Sequence, residues 1–170
     1  IVVAEQILAA SALEVSKSRP DLFEKIVALT PVGVLYLAGP ASPRQEQFFN
    51  QMWSNDFAAK GFYQDLVSEQ SANFYLSKAY YEADAVTPLR INEITLTAQY
   101  EEQTWASVCF VGGKIYRSFA DAANGVTVPV SVVYGSDPQA PVTNGQPETI
   151  DMFEAIAPQF SYYEISETAN

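Results

Sequence analysis

Few residues of this chain could take part in covalent chemistry. The 170 residues include 20 acidic side chains, a single cysteine at position 109 and no histidine. A serine or cysteine nucleophile needs an adjacent base to become reactive, so Ser11, Ser16 and Cys109 have no such partner within the chain. A transition-metal site would need carboxylate ligands alone, and no acidic cluster has the spacing of a calcium loop. We therefore expect no metal and no cofactor.

The stretch of most interest for chemistry is the first one, IVVAEQILAAS, in which an apolar run breaks off at Glu5-Gln6. The β-branched run over 1–4 is typical of a strand covered on both faces. From Ile7 to Lys17 the composition changes to Ala, Leu and Glu, which predicts a helix. The sequence therefore places Glu5 and Gln6 at a sharp turn from strand to helix.

A second strand is predicted over 24–31, because EKIVALTP is apolar and ends in a turn signal. Strand, helix and strand in this order form a βαβ unit, which requires a parallel sheet. Strands return over 129–135 and 160–165, with an amphipathic helix between them that turns Ile150, Phe153 and Ile156 inward. The predicted core segments are 1–39 and 120–170, which belong to one domain overall.

The segment 40–119 is predicted to be a helical insertion rich in aromatic residues. Ser42, Pro43 and Gln45 form a capping-box start with proline at the first helical position. Thr87-Pro88 repeats this kind of helix start.

Taken together, these residues resemble the α/β-hydrolase fold. The strand, turn and helix from Val2 to Gly33 look like its nucleophile elbow, and the region of Ala79 to Thr87 looks like its lid. Val128 to Asp137 looks like the penultimate core strand with the acid loop, and Glu164 to Asn170 looks like the approach to the catalytic-histidine loop. The predicted fold class is thus α/β, a partial α/β-hydrolase fold with a mostly parallel sheet and a helical lid, lacking the N-terminal part of the fold.

The resemblance implies a degenerate catalytic triad. It places Gln6 at the nucleophile, Asp137 at the acid and Asn170 at or near the histidine, and the backbone N–H of Ile7 would be an oxyanion donor. The family needs small residues on both sides of its nucleophile, so Leu8 is expected to crowd the turn. Glu5 could instead be a carboxylate nucleophile, as in haloalkane dehalogenases and epoxide hydrolases, but this shifts the register by one residue and still lacks the base.

The aromatic side chains of the lid allow two interpretations. They could line a pocket for a small apolar ligand, or they could form the core of the insertion. An open cavity would favour a small-molecule carrier, whereas interdigitated rings would favour the core. The candidate pocket residues are Trp53, Phe62, Tyr80, Tyr81 and Trp105.

Composition excludes several classes of partner. A net charge of −11 without a basic run argues against nucleic acid, which is bound through a cationic surface. The longest apolar stretch, 26–39, is too short for a transmembrane segment and contains Pro31 and Gly33. We expect a soluble protein of a reducing compartment, and the resemblance of its lid to relatives from photosynthetic organisms implies cytoplasm or plastid.

Two functional hypotheses follow. In the first, the chain is a catalytically silent α/β-hydrolase-like protein that works in binding or assembly, as part of a larger complex. In the second, it is a fragment of an ester-type hydrolase whose site residues are absent or substituted, so its status as an enzyme stays open. The start of the chain within a strand favours a processed or truncated chain. In both cases the elbow strand lacks its usual neighbours, which predicts an open sheet edge for a partner protein or for the missing N-terminal half.

Overall fold

The computed structural model describes residues 1–34, 37–80, 83–135 and 146–166. The chain divides by its internal packing into two compact units. The sheet unit comprises 1–39 and 117–170, and the helical unit comprises 40–116. The second boundary therefore follows Tyr116, a few residues before the predicted one at 119.

The sheet unit contains a parallel sheet of four strands in the described residues, ordered β1-β2-β3-β4. The parallel sheet that the βαβ pattern predicts is thus confirmed. The strands are β1 (Val2–Glu5), β2 (Ile26–Leu29), β3 (Val130–Gly135) and β4 (Ser161–Ile165).

The described residues also form eight α-helices. They are α1 (Gln6–Ser18), α2 (Pro43–Trp53), α3 (Asp56–Leu66), α4 (Glu69–Ala79), α5 (Pro88–Thr97), α6 (Thr104–Val111), α7 (Ala120–Gly125) and α8 (Gln146–Ile156). Helices α1, α7 and α8 belong to the sheet unit, and the other five form the helical unit. None of these helices has the length and apolar composition needed to cross a bilayer.

One face of the sheet holds the main core. Ile26, Ala28, Val130 and Val132 point to this face and are almost completely buried. The same cluster contains residues of all three helices of the sheet unit, including Ala9, Leu13, Ala122, Ile150 and Phe153. Ile150 and Phe153 are thus buried as the sequence predicts, and Ile156 is half-buried against the same cluster.

The opposite face of the sheet is much more exposed. Alternate residues of each strand point there, and across the sheet Val3 lies beside Val27 and Ser131, while Leu29 lies beside Val133 and Tyr163. Val3 is 64% exposed and Tyr163 is 53% exposed. Strand β1 also lies at the end of the strand order, so its outer edge has no strand partner among the described residues.

The helices of the helical unit begin at side-chain caps. Ser42 accepts a hydrogen bond from the Gln45 N–H, and the Gln45 side chain accepts one from the Ser42 N–H, which completes the predicted capping box. Asn55 and Ser68 cap α3 and α4 in the same way, and Thr87 caps α5 as predicted. These bonds satisfy N–H groups that have no acceptor within the helix.

Candidate active site

The candidate site begins at the turn from β1 to α1. Gln6 directly follows the strand and has φ 47°, whereas Glu5 is extended with φ −115° and ψ 144°. The left-handed region costs a residue other than glycine about 1–2 kcal/mol. The strained position of the turn is therefore occupied by Gln6 and not by Glu5, so the alternative with Glu5 as nucleophile has no such geometry.

Leu8 does not crowd this turn, contrary to the expectation from its size. Its side chain is 67% exposed, while Ala9, Ala10 and Leu13 take the inward positions of α1. A residue added at 100° steps around a helix axis can direct a large side chain to solvent close to a tight turn. The size of residue 8 is thus no obstacle to the left-handed Gln6.

The N-terminus of α1 differs from a capped helix start. The Glu5 side chain accepts no hydrogen bond from the first N–H groups of the helix. The first N–H groups of any α-helix have no intrahelical acceptor and carry the positive end of the helix dipole. Ile7, whose N–H the resemblance assigns as an oxyanion donor, lies in this first turn.

Thr30 is a second strained residue at the same end of the sheet. Because Glu5 pairs with Leu29, Gln6 and Thr30 are the next residues of two adjacent strands. Thr30 has φ 41° although it is β-branched and precedes Pro31, two features that disfavour this conformation. Its N–H donates to the Val133 carbonyl at 2.8 Å, which fixes its backbone to the neighbouring strand.

The Thr30 hydroxyl is buried and has no hydrogen-bond partner among the described residues. Strained backbone and unsatisfied buried groups occur together most often at functional sites. The sequence analysis did not select Thr30. The signal it overlooked is the Thr-Pro pair directly after an apolar strand.

Tyr134 adds a neutral group near the carboxyl end of β3. Burial raises the pKa of its hydroxyl, and the carboxylates of Glu164, Glu154 and Asp151 raise this pKa further. The hydroxyl therefore stays protonated at neutral pH and can donate a hydrogen bond.

Two of the three degenerate triad positions, Asp137 and Asn170, lie outside the described residues, as does Tyr81 of the candidate lid pocket. The structure thus brings Gln6 and Thr30 to one end of the sheet and does not place the acid or the histidine position. Among the residues that it describes, no group of three carboxylate, cysteine or histidine side chains could hold a metal ion.

The described aromatic residues of the lid contact other side chains of the helical unit. Trp53 meets Trp105 edge-on at 5.2 Å between ring centroids, and Phe62 meets Phe48 in the same way at 5.0 Å. Phe62 and Trp105 pack on the small core of Met52, Ala59 and Val108. Tyr80 lies at the end of α4, where the Arg90 guanidinium covers its ring.

The comparison with known proteins is informative at the level of structure. A scan against protein-family models finds no match, and neither does a search of curated proteins. An epoxide hydrolase, CorEH, matches with a TM-score of 0.66 and 14% identity over 98% of this chain and 59% of its own. An α/β-hydrolase enzyme from a Medee basin deep-sea metagenome library matches with a TM-score of 0.62 and 10% identity, over 98% and 56%.

A third solved structure, the 2-hydroxy-6-oxo-6-phenylhexa-2,4-dienoate hydrolase of a Rhodococcus species, matches with a TM-score of 0.58 and 11% identity over 98% of this chain and 55% of its own. Identities this low establish the fold and not the activity. The resemblance found in the sequence is thereby confirmed at that level. The chain has the α/β-hydrolase fold in a partial form, which spans about half the length of the solved structures it matches.

Proposed function

We propose that this chain is a catalytically degenerate α/β-hydrolase-like protein that acts by binding or assembly within a larger complex. The observation that carries the proposal is Gln6 in a left-handed conformation between β1 and α1. This is the backbone conformation that exposes a nucleophile in the fold it resembles. Here the position carries a carboxamide, which is neither a nucleophile nor a base at neutral pH.

The rest of the chain offers no substitute for the missing chemistry. A serine introduced at position 6 would still need a base, and the sequence contains no histidine. The strain at Gln6 and at Thr30 nevertheless persists. Strain of this kind is kept when the exposed group has a role, which for a carboxamide is hydrogen bonding.

The site is suited to binding a carbonyl or carboxylate group without cleaving it. The Gln6 carboxamide can donate and accept hydrogen bonds, and the first N–H groups of α1 attract negative charge. The Thr30 hydroxyl, which has no described partner, adds a third polar group at the ends of adjacent strands. Such a site would hold an oxygen-bearing ligand or a side chain of a partner protein.

The test is an assay of ester hydrolysis with p-nitrophenyl acetate and p-nitrophenyl butyrate, together with labelling by a fluorophosphonate probe. We expect the wild-type protein to hydrolyse neither ester above the buffer rate. We expect Gln6→Ser to remain inactive and unlabelled, because no histidine of the chain can activate the new hydroxyl. Ser11→Ala is the matched control for non-specific labelling on α1.

A second candidate function is that of an ester-type hydrolase of which this chain is a fragment. The retained elbow geometry favours it, because a left-handed residue at this turn is the arrangement that catalysis requires. Labelling of Gln6→Ser at residue 6, or ester turnover by the wild-type protein, would support this function and overturn the binding proposal.

A further inference from the structure

The open edge and the exposed face of the sheet belong to one surface. Strand β1 has a free outer edge, and Val3 at its centre points to the exposed face. Ile1, which precedes the strand, is 76% exposed. Parallel sheets occur almost only with helices on both faces, so an apolar strand in this state is incomplete.

Protection of the edge by charge or shape is also missing on β1. Natural edge strands avoid uncontrolled pairing through lysine, proline or bulges. The strand Val2–Glu5 contains no lysine and no proline, and it pairs with β2 in an uninterrupted register. The opposite edge strand, β4, is more polar, with Ser161 and Glu164 in its five residues.

The handedness of the strand connections explains why one face is covered and the other is not. Each connection from β1 to β4 moves one strand further in the same direction. Because crossovers between parallel strands are right-handed, all of them place their helices on the same face. Helices on the other face therefore require a connection that runs in the opposite direction, outward from β1.

We infer that an α/β segment ahead of Ile1 in the same polypeptide continues the sheet past β1, with a strand parallel to β1 and a helix on the exposed face. The matched solved structures support this occupant, because this chain covers only 55–59% of the three described above. An added segment would also place Gln6 where the winding of the sheet reverses. That point, at the carboxyl ends of the strands, is where open α/β sheets bind their ligands.

This inference rests on the proposed function, since it names the surface through which a binding site at Gln6 would be completed. The two can fail separately. The ester assay tests the side chain at position 6, whereas the present inference is tested by the protection of β1.

The experiment compares the 170-residue chain with the polypeptide that includes the segment encoded ahead of Ile1. Hydrogen exchange measured by mass spectrometry reports on peptides that cover β1. We expect the β1 amides to exchange at least 100-fold more slowly in the longer polypeptide. Equal exchange in both, or the lack of an α/β segment ahead of Ile1, would overturn the inference.

Val3→Lys separates the interface from the stability of the sheet unit itself. Because Val3 is largely exposed in the 170-residue chain, we expect the substitution to leave the urea midpoint of that chain unchanged. In the longer polypeptide we expect it to remove the protection of β1. Phe57→Lys, at a position 86% exposed in the helical unit, is the matched control and should alter neither protein.

A second copy of the chain is the main competing occupant. Two copies could pair their β1 edges across a two-fold axis. Sedimentation of the longer polypeptide distinguishes the two cases. A monomer with protected β1 supports the inference, whereas a dimer that dissociates on Val3→Lys overturns it.

Discussion

The helix that starts at the candidate site and the helices of the helical unit begin in opposite ways. Four helices, α2 to α5, begin at a serine, asparagine or threonine that caps their N–H groups. Helix α1 begins at a left-handed glutamine and has no side-chain cap. The helical unit thus follows local rules, and the sheet unit breaks them at the one turn where a ligand site is expected. Violations of this kind concentrate at functional sites, because distant packing holds them in place.

The largest effect should come from the core that holds the strained turn. Phe153 is completely buried in the cluster that joins α8 to the sheet and to α1. Truncating a buried phenylalanine removes apolar contacts and leaves a cavity, so we expect Phe153→Ala to lower the free energy of unfolding by about 3–5 kcal/mol. Urea denaturation followed by circular dichroism measures this.

The control for this prediction is Tyr163→Ala, on the exposed face of the same sheet. We expect a change within roughly 0.5 kcal/mol, as for most surface substitutions. A similar loss in both variants would show that the two faces of the sheet do not differ in packing.

The capped helix starts should respond to removal of a single side chain. In Ser42→Ala, α2 loses the acceptor for the Gln45 N–H and half of its capping box. We expect a loss of about 1 kcal/mol, the usual cost of removing such a cap. Ser54→Ala, at the end of the same helix, is the control, and an equal loss there would show that the cap has no particular weight.

The uncapped start of α1 should respond with the opposite sign. Gln6→Gly places at φ 47° a residue that adopts positive φ without steric cost. We expect a gain in the free energy of unfolding of roughly 0.5–1 kcal/mol, since the released strain exceeds the added flexibility of the unfolded chain. Thermal and urea unfolding measure it, and Gln6→Ala, which keeps the strain, serves as the control. A loss on Gln6→Gly would mean that the backbone at position 6 is not strained.

The smallest effect concerns the alkaline stability of the sheet unit. Burial, followed by the Glu154 carboxylate, raises the pKa of the Tyr162 hydroxyl, which donates to the Ala157 carbonyl at 3.0 Å. The folded state therefore favours the protonated form. This contribution is complete below the unfolded pKa of about 10 and is lost as the pH rises toward the raised value.

We expect the urea midpoint of the wild-type protein to fall above this pH, and that of Tyr162→Phe to fall less steeply. Absorbance of the tyrosinate form, recorded along the same titration, identifies the group. Parallel pH curves for the two proteins would rule out Tyr162 as a source of alkaline sensitivity.

Much of the fold could be predicted from local sequence signals. The strands and helices of the sheet unit lie within one or two residues of their predicted positions, and the helix starts at Ser42 and Thr87 carry the predicted caps. The site was less accessible to such reasoning. Leu8 was expected to crowd the turn because size alone was considered, and its direction depends on the phase of α1.

By itself, the sequence determined that no serine-histidine pair exists, that Gln6 occupies the turn after the first strand, and that the strands are parallel. These properties depend on residue types and on neighbours along the chain. Only the tertiary structure decided the left-handed Gln6, the unsatisfied hydroxyl of Thr30 and the coverage of a single sheet face. Each of these depends on strands that are distant in sequence, because register, handedness and burial arise only when the sheet assembles.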